Sequence, residues 1–283
     1  MAANYKAVLI TGASTGIGEA CALYFAERGW RAFAGVRKPK DARRLAAASA
    51  NITPLILDVT KPRDLAQALS RVRKAVGRRG LQGLVNNAGI AVAGPLEFLP
   101  MAELRRQLEV NFFAQVAVTQ AFLPLLRSGK GRIANISSIG GRVAGPFLTP
   151  YSSSKFALEA FTDGLRRELR PWSIHVASVQ PGAIATPIWE KSLLMAKRTR
   201  AKLPRRAEAL YGRAMQRMAD AAERDGTHGV PPLLVARHVW HALTARRPRT
   251  RYAPGQGTAL TLWLLRWLPD SFIDWLLTRR LLS

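Results

Sequence analysis

The run Ala7-Val8-Leu9-Ile10 leads directly into Thr11-Gly12-Ala13-Ser14-Thr15-Gly16-Ile17-Gly18. An apolar run without polar alternation is what a strand buried on both faces requires, and such strands belong to parallel sheets covered by helices on each side. Ala20, Leu23, Tyr24 and Ala26 then recur at helical spacing until Gly29 ends the pattern. The glycines between strand and helix let the backbone turn tightly and approach a pyrophosphate. The helix behind them offers unpaired N–H groups and the positive end of its dipole. This strand, glycine turn and helix set the class as α/β and place a dinucleotide at the end of the first strand.

The rest of the chain repeats the alternation. Ala32-Phe33-Ala34-Gly35-Val36 reads as a second strand, followed by Arg37 and Lys38. An acidic residue at the end of this strand binds an adenosine ribose and repels a 2′-phosphate. Two cations there favour NADP(H), with Arg37 able to stack on adenine and grip phosphate in a fork. Ile52 to Leu57 reads as a third strand running into Asp58-Val59, and Leu84-Val85-Asn86 as a fourth, turning at Asn87-Ala88-Gly89. A long helical pattern from Glu109 to Leu126 contains Asn111, a poor helix former that needs a reason to be there. Gly131 to Ser138 reads as a fifth strand ending in two serines. Ile174 to Val179 reads as a sixth, followed by Gln180-Pro181-Gly182-Ala183-Ile184-Ala185-Thr186.

Tyr151 and Lys155 open another helical pattern, Phe156, Leu158, Phe161, Leu165 and Leu169. Positions i and i+4 share a helix face. A neighbouring ammonium favours a phenolate, so this spacing predicts a tyrosine whose pKa is lowered toward working pH and which exchanges protons.

Taken together, Gly12-x-x-x-Gly16-x-Gly18, Asn86-Asn87-Ala88-Gly89 and Tyr151-x-x-x-Lys155 resemble the short-chain dehydrogenase/reductase family, from about Lys6 to Trp189. The resemblance implies a Rossmann-type doubly wound parallel sheet with helices on both faces. It implies one domain over 1–283, with a core at 1–189, a variable substrate-covering segment at 190–230 and an amphipathic tail at 257–283. It assigns catalysis to Asn111, Ser138, Tyr151 and Lys155, with Ser138 chosen over Ser137 by its spacing to Tyr151. It assigns cofactor contacts to Gly12, Ser14, Thr15, Gly16, Ile17, Gly18, Arg37, Lys38, Asp58, Val59, Asn87, Ala88, Gly89, Tyr151, Lys155, Pro181, Gly182, Ile184 and Thr186. Asp58 is expected at the adenine amino group and Thr186 at the carboxamide or diphosphate. NADP-using relatives often carry a basic residue where this chain has Thr15, so NADP(H) is favoured and NAD(H) left open. Members of this family pair their helices across a two-fold axis, which implies a homodimer or homotetramer. Phe33 to Arg37, Pro181 to Trp189 and the hydrophobic tail resemble the steroid- and retinoid-handling branch, which implies a bulky apolar alcohol or ketone as substrate.

Beyond Trp189 the cations Lys197, Arg198, Arg200, Lys202, Arg205 and Arg206 mix with leucines, and a helix pair over the cleft is expected. After Pro231-Pro232 another helix follows, then an edge strand near Arg249 to Gly255. The tail holds Trp263, Trp267 and Trp275 among leucines, interrupted by Arg266 and Asp270, so it does not read as a membrane span. Peripheral membrane contact, a substrate lid and a subunit interface all fit it.

Net charge is +25, but the cations are spread along the chain with no recognition module, so no nucleic-acid partner is expected. No third ligand accompanies His238 and His241, so no metal is expected. The single Cys21 excludes an internal disulfide framework, and no signal sequence is read at residues 1–4; both suit the cytoplasm, with peripheral membrane contact as an addition. A cofactor-binding regulator without turnover, or a membrane-surface adaptor on the same fold, is the alternative function.

Overall fold

The computed structural model describes residues 5–281, so the N-terminal expectation at 1–4 and the last two tail residues lie outside it. The strands are β1 Ala7–Ile10, β2 Arg31–Val36, β3 Ile52–Ile56, β4 Gly83–Asn86, β5 Arg132–Ile136, β6 Val176–Val179 and β7 Arg251–Tyr252. They form one parallel sheet in the order β3-β2-β1-β4-β5-β6-β7. The order reverses between β1 and β4, which opens a crevice at their C-terminal ends. This is a Rossmann-type doubly wound fold.

Strand residues alternate between two cores. Val8 and Ile10 face a cluster with Cys21, Phe25, Leu45, Val235 and Val239, carried by α1 Gly16–Glu27, α2 Pro39–Ala48 and α9 Pro232–Thr244. Ala7 and Leu9 face Val72, Val118, Phe122 and Leu165, carried by α3 Pro62–Val76, α5 Ala114–Ser128 and α6 Thr149–Glu168. Both sheet faces are therefore covered, which is why the strands read as continuous apolar runs.

The expected single helix around Asn111 is interrupted. α4 Met101–Leu108 passes through a π turn, Glu109–Phe113, before α5 begins. A π turn inserts one residue and re-aims the side chains around it, a device found mostly at functional sites. β5 stops at Ile136, so Ser137 and Ser138 lie beyond the strand, and the edge strand β7 shrinks to Arg251–Tyr252. A helix pair, α7 Ile188–Arg200 and α8 Arg205–His228, follows β6, and the tail forms α10 Thr258–Leu264 and α11 Asp270–Leu281. Among the described residues no helix is long and apolar enough to cross a membrane.

Candidate active site

The glycine turn and the Asn87 turn are welded together at the switch point. The Thr11 hydroxyl accepts from the Asn87 and Ala88 amides at 2.9 and 3.0 Å, and Asn87 Nδ2 donates to the Thr11 and Gly12 carbonyls at 2.9 and 3.0 Å. A Cβ on Gly12 would lie 2.8 Å from Ala88 Cα, and one on Gly18 would lie 2.4 Å from the Gly12 carbonyl oxygen. Gly16, at φ +62°, would place a Cβ 3.0 Å from Thr186 Cγ2. The Thr15 side chain does not cap α1, so the helix N–H groups remain available to an anion. Arg44, which the sequence did not single out, reaches from α2 to the Ser14 carbonyl at 2.6 Å and pairs with Glu19. The residues present fit a dinucleotide pyrophosphate.

At the adenosine end, Arg37 and Lys38 are exposed at the start of α2. Burial raises the Asp58 pKa, but hydrogen bonds from Thr60 and the charges of Arg37 and Lys61 outweigh it and hold the carboxyl below its ordinary range. Val59 and Ile184 are buried in the cores, and the partly buried Ile17 packs against one of them. The Ile184 carbonyl already accepts the Trp189 indole N–H at 2.8 Å. Pro181 accepts from the Ile139 amide at 3.0 Å. The open side of Gly182 is filled by the tail: a Cβ there would stand 2.4 Å from Thr258 Oγ1.

Ser138, Tyr151 and Lys155 meet where β5 ends against α6. A Cβ on Gly140 would lie 3.1 Å from Tyr151 Cε1 and 3.4 Å from Ser138 Oγ, so both side chains border one small space. The Ser138 oxygen accepts the Gly140 amide at 3.0 Å. Burial pushes the Tyr151 phenol above its ordinary value, and a hydrogen bond with the Ser138 hydroxyl pulls it back. The expected lowering by Lys155 is not found here. Its ammonium lies 5.8 Å from the Tyr151 ring centroid and donates to the Ile136 carbonyl at 2.8 Å. Burial itself brings Lys155 down to about 8, against the pull of Glu159.

Asn111 is fully buried in the π turn. Its side chain pairs with the Ile90 backbone in both directions, at 2.9 and 3.0 Å, and donates to Ser154 Oγ at 3.2 Å. Ser154 in turn donates to the Tyr151 carbonyl at 2.6 Å. Ser154 is thus the link between Asn111 and the Tyr151 helix, and nothing in the sequence separated it from its two serine neighbours. Gly89 lets the turn pass close to this asparagine: a Cβ would lie 3.4 Å from Asn111 Oδ1. Below, Asn86 donates to Asn135 and Thr119 at 2.9 Å, tying β4 to β5 and α5.

Phe98, Phe147 and Tyr211 form an aromatic cluster, with Tyr211 6.1 Å from Phe98 and 6.0 Å from Phe147 between ring centroids. Phe147 holds the left-handed backbone region at φ +62°, an uncommon position for an aromatic residue. The Tyr211 hydroxyl donates to Glu97 at 2.9 Å, so α8 is fastened over the loop after β4. These contacts join residues far apart in the chain and carry no local pattern. Among the described residues no group of three His, Cys, Asp or Glu side chains is arranged to hold a metal.

The short chain dehydrogenase family model matches residues 6–196. Retinol dehydrogenase 5 of Mus musculus is 39% identical over 96% of this chain and 89% of its own length. 17-beta-hydroxysteroid dehydrogenase type 6 of Bos taurus is 38% identical over 97% of this chain and 88% of its own. A solved short chain dehydrogenase from Burkholderia cenocepacia J2315, in complex with NADP, superposes with a TM-score of 0.73 at 27% identity, over 99% of this chain and 98% of its own. The chain therefore belongs to the short-chain dehydrogenase family, on its retinol- and steroid-dehydrogenase-like side, and is an oxidoreductase acting on alcohol or carbonyl groups with a nicotinamide dinucleotide.

Proposed function

We propose that this protein interconverts a bulky apolar ketone and its alcohol, with Tyr151 as general acid and base and NADP(H) preferred over NAD(H). The meeting of Ser138 and Tyr151 on one small space beside Gly140, with buried Lys155 one helical turn away, carries the reading. A bound nicotinamide supplies the hydride in reduction and accepts it in oxidation. Ser138 and Tyr151 hold the carbonyl oxygen between them, where donors aimed at developing negative charge are worth most. Tyr151 gives up its proton as that charge forms. The buried Lys155 ammonium, beside the phenol ring, compensates the phenolate that remains. Asn111 and Ser154 hold the turn at Ile90 against the catalytic helix, and a water there reloads the proton.

Gly12, Ser14, Thr15, Gly16, Ile17, Gly18 and Thr186 would hold the diphosphate of a bound dinucleotide, Asp58 and Val59 its adenine, and Asn87, Ala88, Gly89, Pro181, Gly182 and Ile184 its nicotinamide half. Arg37 and Lys38 favour a 2′-phosphate by charge, and the NADP carried by the Burkholderia cenocepacia relative supports that preference. The substrate class rests on the names of the retinol and hydroxysteroid relatives. Oxidation of NADPH and of NADH is followed optically over a panel of apolar ketones of rising size. Turnover with NADPH and large ketones supports the reading, and turnover confined to NADH or to small polar carbonyls rejects it.

Copies of the chain are proposed to pair through the π turn, α5 and α6. Phe113 and Phe156 stand exposed there, and Phe112 meets Phe113 and Phe161 edge to face. The single, buried and unbonded Cys21 suits a reducing compartment such as the cytoplasm.

A further inference from the structure

We infer that Glu159 is a positioning residue for Lys155: its buried carboxylate, shared with Arg251 of β7, keeps the Lys155 side chain charged beside Tyr151. Glu159 then bears on the reaction through the role proposed above for the Lys155 ammonium.

Tyr151, Lys155 and Glu159 follow one another at i, i+4 and i+8 on α6, so they share one helix face. Lys155 and Glu159 are only 4 and 6% exposed. Their side chains are planted on neighbouring strands at adjoining register positions. Lys155 Nζ donates to the Ile136 carbonyl of β5 at 2.8 Å. Glu159 accepts from the Ser178 hydroxyl of β6, and Ser178 stands opposite Asn135, the residue before Ile136. Gly141 closes the layer between α6 and the sheet. A Cβ there would stand 3.0 Å from the Lys155 carbonyl oxygen and 3.2 Å from Glu159 Cγ. Ammonium and carboxylate therefore enter the same dry space.

A buried ammonium is costly to keep charged when a carbonyl is its hydrogen-bond partner. The cost falls when an anion shares its low-dielectric surroundings. Burial lowers the Lys155 pKa, and the charge of Glu159 acts against that lowering. Other charged groups are turned elsewhere. Asp163, the next acid on α6, takes Arg166 at 2.6 Å and Arg251 at 2.7 Å. Of the elements packed against this stretch, α4 carries Glu103 paired with Arg106, while Arg105, Glu109 of the π turn and Arg142 are exposed. Arg132 of β5 donates to the Ala245 carbonyl at 2.7 Å. Arg251, at 3.3 Å from Glu159, is the cation that tempers the buried carboxylate. Removing Glu159 and removing Arg251 should therefore move Lys155 in opposite directions, which a loss of packing would not do.

Lysine labelled with carbon-13 at Cε is titrated in the cofactor-free chain, and the Lys155 signal is assigned by its absence in Lys155→Met. Glu159→Gln keeps an acceptor for Ser178 and removes the charge, and circular dichroism checks its fold. Its Lys155 titration should fall by about one pH unit, and the high-pH limb of kcat for ketone reduction should move down with it. Glu159→Asp should restore part of both, and Arg251→Gln should move the titration up. An unchanged Lys155 titration in folded Glu159→Gln overturns the proposal and leaves Glu159 a fastening between α6 and β6. If Glu159→Gln does not fold, Arg251→Gln decides, and a titration that stays or falls there overturns it equally. Titrations that move as expected while the pH profile of turnover stays in place support Glu159 in this role and count instead against the one proposed for Lys155.

Discussion

Tyr151 is held in surroundings that disfavour its phenolate, and Ser138 is the group that eases ionisation. Tyr151→Phe removes the proton donor and leaves the ring's packing, so turnover should fall by about 10²–10⁴-fold. Fluorescence titration of the cofactor should shift by no more than a few-fold. Lys155 works against folding. Its pKa drops from 10.5 to about 8 on burial, so the charged form is penalised in the native state. At about 1.4 kcal/mol per unit, the penalty is on the order of 3 kcal/mol. It is fully present below about pH 8 and disappears as pH rises toward 10.5, because the native state loses its proton first. Lys155→Met should therefore raise Tm of the cofactor-free protein at pH 7 while abolishing activity. The gain should shrink at pH 10, and an equal gain at both values would show that the ammonium is not penalised. Arg37→Ala should weaken NADPH by about 10- to 100-fold through loss of a charge-assisted contact, and NADH hardly at all. Isothermal titration of both cofactors measures the difference.

Helix α6, which carries Tyr151 and Lys155, depends on an element that contributes little to the sheet. β7 is only Arg251–Tyr252, yet Arg251 pairs with Glu159 at 3.3 Å and with Asp163 at 2.7 Å, both on α6. Glu159 is buried and also accepts the Ser178 hydroxyl from β6. Arg251→Ala leaves that carboxylate short of a partner in a place water barely reaches. The expected loss is about 1–3 kcal/mol, read by thermal or urea unfolding. Arg251→Lys should recover part of it, since a lysine returns the charge without the two-pronged geometry. The π turn shows the same dependence between elements. Asn111 bonds only across the fold, to the Ile90 backbone and Ser154, so the distortion is stabilised by its partners and not by its own helix.

For the whole molecule, two apolar surfaces are left uncovered among the described residues, and they ask for different partners. The face with Phe113 and Phe156 lies on the π turn and α6, and the apolar tail stripe lies on α10, α11 and the turn between them. Phe113→Ser with Phe156→Ser should convert the proposed oligomer to monomer in light scattering at micromolar concentration. A parent chain that scatters as a monomer would reject the pairing outright.

Several features were settled by local chemistry and could be read directly. The continuous apolar strand β1, the glycines before α1 and the i to i+4 placement of Tyr151 and Lys155 each follow from backbone sterics, burial or helix geometry within a few residues, while Asn87-Ala88-Gly89 was legible only through its resemblance to the family motif. Their grouping in space matches that reading because strand ends and helix starts meet at one sheet edge. Other features were decided only by contacts between distant segments. The π turn needs Ile90 and Ser154. The state of Lys155 needs the burial around it and the charge of Glu159. Gly182 faces Thr258 of the tail, and Phe147, Phe98 and Tyr211 gather from three separate stretches. A pKa depends on the dielectric and the partners that surround a group, and an apolar stripe becomes a surface only after the fold has covered its other side. Neither quantity exists until the chain is folded, so neither could be read from the order of residues.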